Sequence, residues 1–329
     1  MRRTFLIGLC ILLLFLTACT GRNDPSAGKQ AANEGLIVVG FSQVGSESDW
    51  RLANTKSMRE TFSEENGYRL ILKDAQQKPE NQLAAIREFV AEGVDYIVVA
   101  PVLEAGWDDA LAEAKAAGIP VIIVDRMIQT SDDSLYTCWV GSDFRLEGDT
   151  AVKWMERVFQ GRTHLNIVHL QGSLGSSAQI GRTEGLLDGV ARNKNWEIIY
   201  SASGDFNRVK GKEIMEYVLK QYSNIDVLYC ENDNMAFGAM EAMSVEGRTF
   251  GLNGDITVIS FDATNAGLTA TLEGGINFNV ECNPLHGPRV EAIIKQLIRG
   301  EIPEKLAFVE EESFEATTIT QRDIDERSY

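Results

Sequence analysis

From residue 36 onward, short apolar runs alternate with amphipathic stretches along the chain. The stretch 81–90 places Leu83, Ile86 and Phe89 on one stripe of a helix, and the stretch 108–117 is also helical in pattern. Apolar runs separated by helical segments are typical of βαβ units that build a parallel sheet. We predict strands at 36–41, 68–72, 96–100, 121–124, 165–170, 197–201, 227–229, 256–261 and 277–280.

The alternation falls into two sets, which start near residues 36 and 143. The helix-like stretch 287–298 follows the second set and has no sheet of its own, so we expect it to return to the first lobe. The prediction is an α/β protein whose two doubly wound parallel-sheet lobes are joined by a multi-strand hinge. Lobe I is predicted at 36–142 plus 283–303, lobe II at 143–282 plus 304–322 and a tail at 323–329, with crossings near 141–142, 282–283 and 301–304.

The N-terminal segment has the pattern of a bacterial secretory signal. Two arginines precede an apolar run over residues 5–16, which is shorter than the roughly 20 residues of a membrane-spanning helix. The motif Leu-Thr-Ala-Cys at 16–19 resembles the lipobox of bacterial lipoproteins. This resemblance implies a signal peptide at 1–18, a lipid on Cys19 and a lipidated linker at 19–35. The alternative is an uncleaved membrane anchor that contains an incidental cysteine.

The composition is that of a globular protein, with 44% hydrophobic and 24% charged residues. A net charge of −17 argues against a nucleic acid or an anionic membrane face as the partner. Cys138, Cys230 and Cys282 lie in strand-like surroundings, where small buried apolar roles are expected. The sequence leaves open whether any of them forms a disulfide. Because no Cys-x-x-Cys motif or Cys/His cluster occurs, we expect no metal site, and we expect no cofactor.

Polar and aromatic side chains are concentrated just after the apolar runs. Parallel sheets place ligand sites at the carboxyl ends of their strands, so these side chains are candidates for one common site. Arginine forks and carboxylates form paired hydrogen bonds with neighbouring hydroxyls, and aromatic faces pack on the C–H surfaces of sugars. The mixture favours a neutral polyol over a phosphate. The candidate ligand-binding residues are Ser42, Glu47, Trp50, Arg51, Asp125, Arg126, Arg182, Phe206, Asn232, Asp262 and Glu281.

Each of these side chains also has a purely structural interpretation. Trp50 and Phe206 can belong to the core, and Arg51 and Arg126 can form surface ion pairs. Asp125, Asn232 and Asp262 can cap the helices that follow them, and for the neighbouring Asp233 capping is the favoured role.

A family resemblance is carried by the stretches 39–51, 125–126, 170–175, 203–211 and 231–235. Over about residues 36–320 the chain resembles the type 1 periplasmic sugar-binding proteins of ABC importers. The stretch 39–51, Val-Gly-Phe-Ser-Gln-Val-Gly-Ser-Glu-Ser-Asp-Trp-Arg, is similar to the galactofuranose-binding subfamily in particular. Asp125-Arg126 and the pair at 232–233 also occur in ribose-type relatives. The other matching stretches are Leu-Gln-Gly-Ser-Leu-Gly at 170–175, Ser-Gly-Asp-Phe-Asn-Arg-Val-Lys-Gly at 203–211 and Glu-Asn-Asp-Asn-Met at 231–235.

The resemblance implies that a sugar lies between two lobes that close around it. From lobe I, Asp125 and Arg126 would bind hydroxyls, Trp50 would stack on the sugar and Arg51 would reach the ring or its exocyclic hydroxyls. The residues implied for lobe II are Arg182, Asn232 and Asp262 as polar partners and Phe206 as the second apolar wall.

The chain also departs from the ribose-type pattern. Only Trp50 stands where ribose-type relatives have an aromatic pair, and Asn-Val-Glu-Cys-Asn at 279–283 replaces a strand that ends in Gln. The identity of the sugar and its ring form therefore stay open.

The function implied by the resemblance is that of a lipid-anchored, monomeric receptor, not an enzyme. It would bind a monosaccharide, galactofuranose or a related furanose or pyranose, and hand it to an ABC permease. One alternative is a sugar-sensing accessory protein for a membrane receptor. The other is an extracellular sugar-processing enzyme, against which the chain has no Gly-x-Ser-x-Gly motif and no metal constellation. The identity of the permease or receptor is open.

Overall fold

The structure, a computed structural model, describes residues 35–329 of the chain. Leu36–Tyr329 forms one compact unit. The predicted signal peptide and Cys19, with nearly all of the predicted linker, lie outside the described residues. Within the described part, no helix has both the length and the apolar character needed to cross a bilayer.

Two six-stranded sheets confirm the predicted α/β fold. In chain order the strands are β1 (Ile37–Gln43), β2 (Tyr68–Asp74), β3 (Tyr96–Val99), β4 (Val121–Val124), β5 (Cys138–Gly141), β6 (Leu165–Gln171), β7 (Trp196–Ser203), β8 (Val227–Cys230), β9 (Thr257–Asp262), β10 (Phe278–Glu281), β11 (Leu306–Phe308) and β12 (Ser313–Glu315). The first sheet has the order β11-β5-β4-β3-β1-β2, and its strand pairs are parallel. The second has the order β12-β10-β9-β8-β6-β7, in which only β12 runs antiparallel to its neighbour.

Helices connect the strands and pack on the sheets. They are α1 (Asp49–Thr61), α2 (Pro79–Glu92), α3 (Asp108–Ala116), α4 (Phe144–Val158), α5 (Ser177–Arg192), α6 (Arg208–Gln221), α7 (Asp233–Val245), α8 (Asn265–Leu272), α9 (His286–Ile298) and α10 (Gln321–Asp325). Short 3₁₀ turns occur at Glu64–Asn66 and Asp133–Leu135. Each sheet contributes to two separate apolar clusters. The first sheet with its helices is termed lobe I, and the second with its helices is termed lobe II.

The central strands are apolar along their whole length because both of their faces are covered. All four residues of β4 are buried, as are all four of β8. In β4, Ile122 and Val124 belong to one apolar cluster, whereas Val121 and Ile123 belong to another. Alternation between two cores explains why the sequence shows continuous apolar runs instead of an apolar–polar alternation. Burial of each such side chain stabilises the fold by about 1.5–3 kcal/mol.

Within the described chain, three segments cross between the lobes. The first lies between β5 and α4, the second between β10 and α9, and the third between β11 and β12. Helix α9 packs against α1, and its Val290 and Ile294 belong to the core of lobe I.

The third crossing lies later than residues 301–304, where the sequence placed it. Strand β11 pairs in parallel with β5, with Leu306 opposite Trp139 and Phe308 opposite Gly141, so this segment still belongs to the sheet of lobe I. The crossing is therefore at 309–312. The three residues of β11 are partly exposed at the edge of the sheet, so they form no apolar run that the sequence pattern could reveal.

The predicted tail at 323–329 is part of lobe II. Helix α10 begins at Gln321 with a capping box between Thr320 and Asp323. Arg327 donates two hydrogen bonds of 3.2 Å to the Glu281 carboxylate, and the Tyr329 hydroxyl donates to the same group. The end of the chain is thereby attached to the last residue of β10.

Candidate ligand-binding site

An enclosed cavity lies between the lobes, at the carboxyl ends of the strands. Its empty volume is about 290 Å³. No lining residue is more than 9% exposed. Lobe I contributes Glu47, Ser48, Trp50, Arg51, Asp125 and Arg126, and lobe II contributes Phe144, Ala178, Arg182, Phe206, Asn232, Asp262 and Cys282.

Arg51 occupies the centre of the lobe I wall. It follows the N-cap Ser48, whose hydroxyl accepts a hydrogen bond from the Arg51 backbone at 3.2 Å. Its guanidinium lies 3.1 Å from Glu47 Oε1 and 2.8 Å from Asp125 Oδ2. Although burial opposes the charge, Asp125 and Glu47 raise the pKa of Arg51. Arg51 therefore carries a fixed positive charge that orients both carboxylates.

Arg126 is the less satisfied guanidinium of the same wall. Its contacts are long: 3.3 and 3.5 Å to the carbonyls of Val102 and Pro101, and 3.8 Å to Glu47 Oε1. A guanidinium has five N–H donors, so several of them remain free for a ligand. Burial and repulsion from Arg51 lower the pKa of Arg126.

Arg182 of α5 is the corresponding cation of lobe II. Its Nε donates to Glu147 Oε2 at 2.6 Å, and its Nη1 donates to the carbonyl of Glu231. Another guanidinium nitrogen lies 3.6 Å from Asp262 Oδ1. Burial raises the pKa of Asp262 well above its usual value, although Arg182 opposes this shift.

Two aromatic faces complete the cavity. Trp50 donates its indole N–H to the Cys282 carbonyl at 2.6 Å, and the Arg51 guanidinium lies 4.6 Å from the centre of its ring. Phe206 lies in lobe II, with the Arg126 guanidinium 5.2 Å from its ring centre. The ring is tightly held, because a Cβ added at Gly172 would lie only 1.9 Å from Phe206 Cζ. Only glycine leaves room for the ring at this point.

The backbone is strained at three lining positions. Asp125, Phe206 and Asp262 have φ values of 63°, 59° and 99°. Residues other than glycine seldom adopt positive φ, and each such position costs about 1–3 kcal/mol. Asp125 directly follows β4, Asp262 ends β9 and Phe206 lies in the loop after β7, and all three line the cavity. Strained backbone of this kind is common at binding sites.

Two carboxylate oxygens of the lining have no hydrogen-bond partner among the described residues. Glu47 Oε2 is buried and accepts no hydrogen bond within the described chain. Asp125 Oδ2 is ion-paired with Arg51 but lacks the alignment of a hydrogen bond. Leaving a buried acceptor unsatisfied costs about 1–3 kcal/mol, so both oxygens favour a ligand that donates hydrogen bonds.

Nine of the eleven predicted residues line the cavity. Ser42 and Glu281 do not. Ser42 is fully buried within β1, between β2 and β3. Glu281 faces the C-terminal residues and accepts hydrogen bonds from Arg327 and Tyr329. Both lie at or near the end of a strand, but being near a strand end does not ensure that a side chain points into the cleft.

Asn232 both caps a helix and lines the cavity. It is the N-cap of α7, where its Oδ1 accepts from the Met235 backbone at 2.9 Å, and its Nδ2 donates to the Phe206 carbonyl at 3.1 Å. Asp233 is not the cap. It is buried and accepts hydrogen bonds from Ser260, Thr264 and Asn279.

Four lining residues were not predicted: Ser48, Phe144, Ala178 and Cys282. Phe144 lies shortly after β5, at the carboxyl end of a strand. It would have been a candidate if Cys138–Gly141 had been predicted as a strand. Ser48 lies inside the stretch 39–51 that carried the family resemblance. No pattern marks Ala178 or Cys282, because small residues carry no chemical signature.

Comparison with known proteins places this geometry in a family. The model of the periplasmic binding protein domain matches residues 39–286. This chain belongs to the periplasmic binding protein family. It is 42% identical to the galactofuranose-binding protein YtfQ of Escherichia coli (strain K12) over 276 residues, which cover 83% of this chain and 86% of YtfQ.

Two solved structures are similar in both fold and sequence. One is a Mycobacterium smegmatis protein in complex with β-D-fucofuranose, with a TM-score of 0.82, 40% identity and coverage of 85% of this chain and 92% of that one. The other is the binding component of the arabinose ABC transporter of Shewanella sp. ANA-3, bound to α- and β-L-arabinofuranose. Its TM-score is 0.82, with 38% identity and coverage of 88% and 95%.

The two lobes of this binding protein also touch each other directly outside the cavity. The Asp49 backbone donates to Asn234 Oδ1 at 3.0 Å, and Asn234 Nδ2 donates back to Asp49 Oδ2 at 3.1 Å. At another point, the Met127 backbone donates to the Ser177 hydroxyl at 2.8 Å. These bonds join residues of lobe I to residues of lobe II, so the described conformation is closed.

Proposed function

We propose that this protein is the lipid-anchored extracytoplasmic substrate-binding component of an ABC sugar importer, and that it binds one monosaccharide between its lobes. The observation that carries the proposal is the enclosed cavity, in which arginine forks and carboxylates of both lobes face the Trp50 and Phe206 rings. Such walls suit a small ring with hydroxyls at its edge and C–H groups on its faces.

The charge balance of the lining supports a neutral ligand. Three guanidinium groups, those of Arg51, Arg126 and Arg182, face three carboxyl groups, those of Glu47, Asp125 and Asp262. A phosphorylated or carboxylated sugar would bring an uncompensated charge into a closed cavity, which is strongly unfavourable. Hydroxyls can instead donate to the free carboxylate oxygens and accept from Arg126.

A furanose is the proposed ring form. The similar proteins from Escherichia coli, Mycobacterium smegmatis and Shewanella are named for, or hold, galactofuranose, fucofuranose and arabinofuranose respectively. Their similarity to this chain extends over most of its length, and thus over residues from both walls of the cavity.

We propose that the sugar is bound and released without conversion. The relatives are binding proteins, and the Glu47, Asp125 and Asp262 carboxyls each lie within 4 Å of an arginine nitrogen. Closure of the two lobes around the sugar would produce a conformation of the binding protein that the permease can distinguish from the open conformation.

A thermal-shift panel tests the binding function. We expect one or more of galactose, arabinose, fucose and ribose to raise the melting temperature, since ligand at 100 times Kd adds about 2.7 kcal/mol of apparent stability. Glucose 6-phosphate, the charged control, should cause no shift. Failure of all neutral sugars to stabilise the protein would contradict the proposal. With the active sugar labelled with carbon-13 at C1, the bound resonance should be that of a furanose, and a pyranose resonance would refute the ring form alone.

Lipid anchoring has its own test in the host cell. The variant Cys19→Ser removes the thiol that would carry the lipid, so we expect loss of signal processing or release of the protein from the membrane fraction. Labelled fatty acid should be incorporated by the wild-type chain and not by the variant. Cys138→Ser serves as the matched control, because Cys138 is buried in the core of lobe I. Unchanged processing and membrane retention of Cys19→Ser would exclude the lipoprotein assignment.

A further inference from the structure

Three acidic side chains meet where the crossings between the lobes come together. Glu147 lies in the first turn of α4, Cys282 directly follows β10, and Glu311 belongs to the crossing between β11 and β12. One oxygen or sulfur atom of each lies within 4.8 Å of those of the other two. The described chain therefore brings together two carboxyl groups and a thiol that are far apart in the sequence.

Glu147 is incompletely satisfied by the protein. Its Oε2 accepts from Arg182 at 2.6 Å, but its Oε1 is buried and has no hydrogen-bond partner in the described structure. The residue is only 3% exposed. Burying an oxygen without a hydrogen-bond partner costs about 1–3 kcal/mol of folding free energy, and more when the oxygen is charged. A ligand bound to this oxygen would remove that cost.

Glu311 is held in place by the other two crossings. Its Oε1 accepts from the Ser142 hydroxyl and from the Asn283 backbone, both at 2.6 Å. The same hydroxyl lies 3.3 Å from the Cys282 sulfur. Outer partners of this kind orient the ligands of metal ions in proteins.

The three groups lack sufficient positive charge around them. Glu147 and Cys282 are buried, with 3% and 2% of their surface exposed, and Glu311 is partly buried. Arg182 and Arg289 are the cations that act on this cluster, and Glu281 adds a further negative charge. A bound cation would offset the repulsion that the buried acids experience.

A surface groove gives access to the cluster. Its empty volume is about 1620 Å³, and both Glu147 and Glu311 line it. Asp143, Glu310 and Glu312 also line this groove, which makes it strongly acidic. Its one lining arginine is already paired with Glu281 and Glu312. The groove would therefore attract a cation and leave room for a water molecule on it.

We propose that Glu147, Cys282 and Glu311 bind a zinc ion, with water from the groove as a fourth ligand. Carboxylate oxygen and thiolate sulfur are common zinc ligands, whereas the thiolate disfavours calcium and magnesium. The sequence predicts no such site, because its ligands form no local Cys/His motif.

The ion would join helix α4 of lobe II to two of the three crossings. Its position makes it a hinge element that borders the cavity through Cys282, whereas neither Glu147 nor Glu311 lines the cavity. Glu311→Gln therefore tests the metal without changing the lining of the cavity, so failure of one proposal leaves the other standing.

Cobalt substitution tests the site. The full chain is stripped with a chelator and titrated with Co²⁺, which we expect to produce a thiolate-to-cobalt absorption band that added Zn²⁺ abolishes. Cys282→Ser should lose the band. Cys230→Ser should keep it, because Cys230 is a buried thiol that the cluster does not include. Glu311→Gln should weaken Co²⁺ binding about tenfold or more.

Circular dichroism in the presence of chelator establishes that each variant is folded. A folded wild-type chain that shows no thiolate band up to millimolar Co²⁺ would refute the zinc site. The acidic groups of the cluster would then be protonated instead of bound to a metal. Persistence of the band in Cys282→Ser would also refute it, by placing the metal on another cysteine. Since Glu311 is only partly buried, Glu311→Gln provides a second, independent measurement should Cys282→Ser fail to fold.

Discussion

Replacing Arg126 with alanine is expected to weaken sugar binding at least about tenfold without lowering the melting temperature. One charge-assisted hydrogen bond contributes roughly 1.5–3 kcal/mol, and most donors of Arg126 lack strong protein partners. The stability expectation follows from the lowered pKa of Arg126, because a cation whose pKa is lowered by folding is disfavoured in the folded state. Removing it should leave stability unchanged or slightly improved, as is common for residues retained for binding.

Calorimetry with the sugar identified by the panel, together with thermal melts, checks both halves of this prediction. Arg126→Lys should show an intermediate affinity, since it keeps the charge but loses the planar fork. Arg87→Ala is the matched surface control, because Arg87 is exposed and pairs only with Glu113 among the ion pairs described. Wild-type affinity in Arg126→Ala would place this side chain outside the functional site, and a large drop in melting temperature would show that it supports the fold.

The fold could be predicted because its strands are covered on both faces. Strand β4 is a continuous apolar run for this reason, and a run of that kind can be read directly from the sequence. Strands β11 and β12 are three-residue edge strands, and the first of them is largely exposed. They form because they pair with β5 and β10, which are distant in the sequence, so no local sequence pattern marks them. The third crossing was consequently placed too early.

The position of most candidate residues follows from one topological rule, that ligand sites lie at the carboxyl ends of parallel strands. The rule brings Asp125 and Asp262 together in the cavity, although they lie in different lobes. It fails for Glu281, because this side chain accepts hydrogen bonds from the Glu312 backbone and from Arg327 and Tyr329 near the end of the chain. No sequence pattern predicts that the C-terminus folds back onto β10. The positive φ values of Asp125 and Asp262 were equally unpredictable, since neither residue type requires them.

Adding a single methyl group at Gly172 should disturb the cavity strongly. In Gly172→Ala the new methyl group would lie 1.9–2.5 Å from three carbons of the Phe206 ring, well inside van der Waals contact. The ring is buried and lies on a backbone with positive φ, so it has little freedom to move aside. We expect the apolar wall to be displaced, with sugar affinity falling at least about tenfold. Overpacking of this kind should lower stability by about 1–3 kcal/mol.

A double-mutant cycle separates this mechanism from a general loss of folding. Phe206→Leu alone should weaken binding, because a branched aliphatic side chain gives the sugar a smaller face than the ring. Combined with Gly172→Ala, it should bind better than the sum of the two separate losses predicts, since the smaller side chain leaves room for the added methyl group. Strictly additive losses, measured by calorimetry on folded variants, would show that the two positions act independently. The close packing of the Phe206 ring against Gly172 would then not be what fixes the position of the ring.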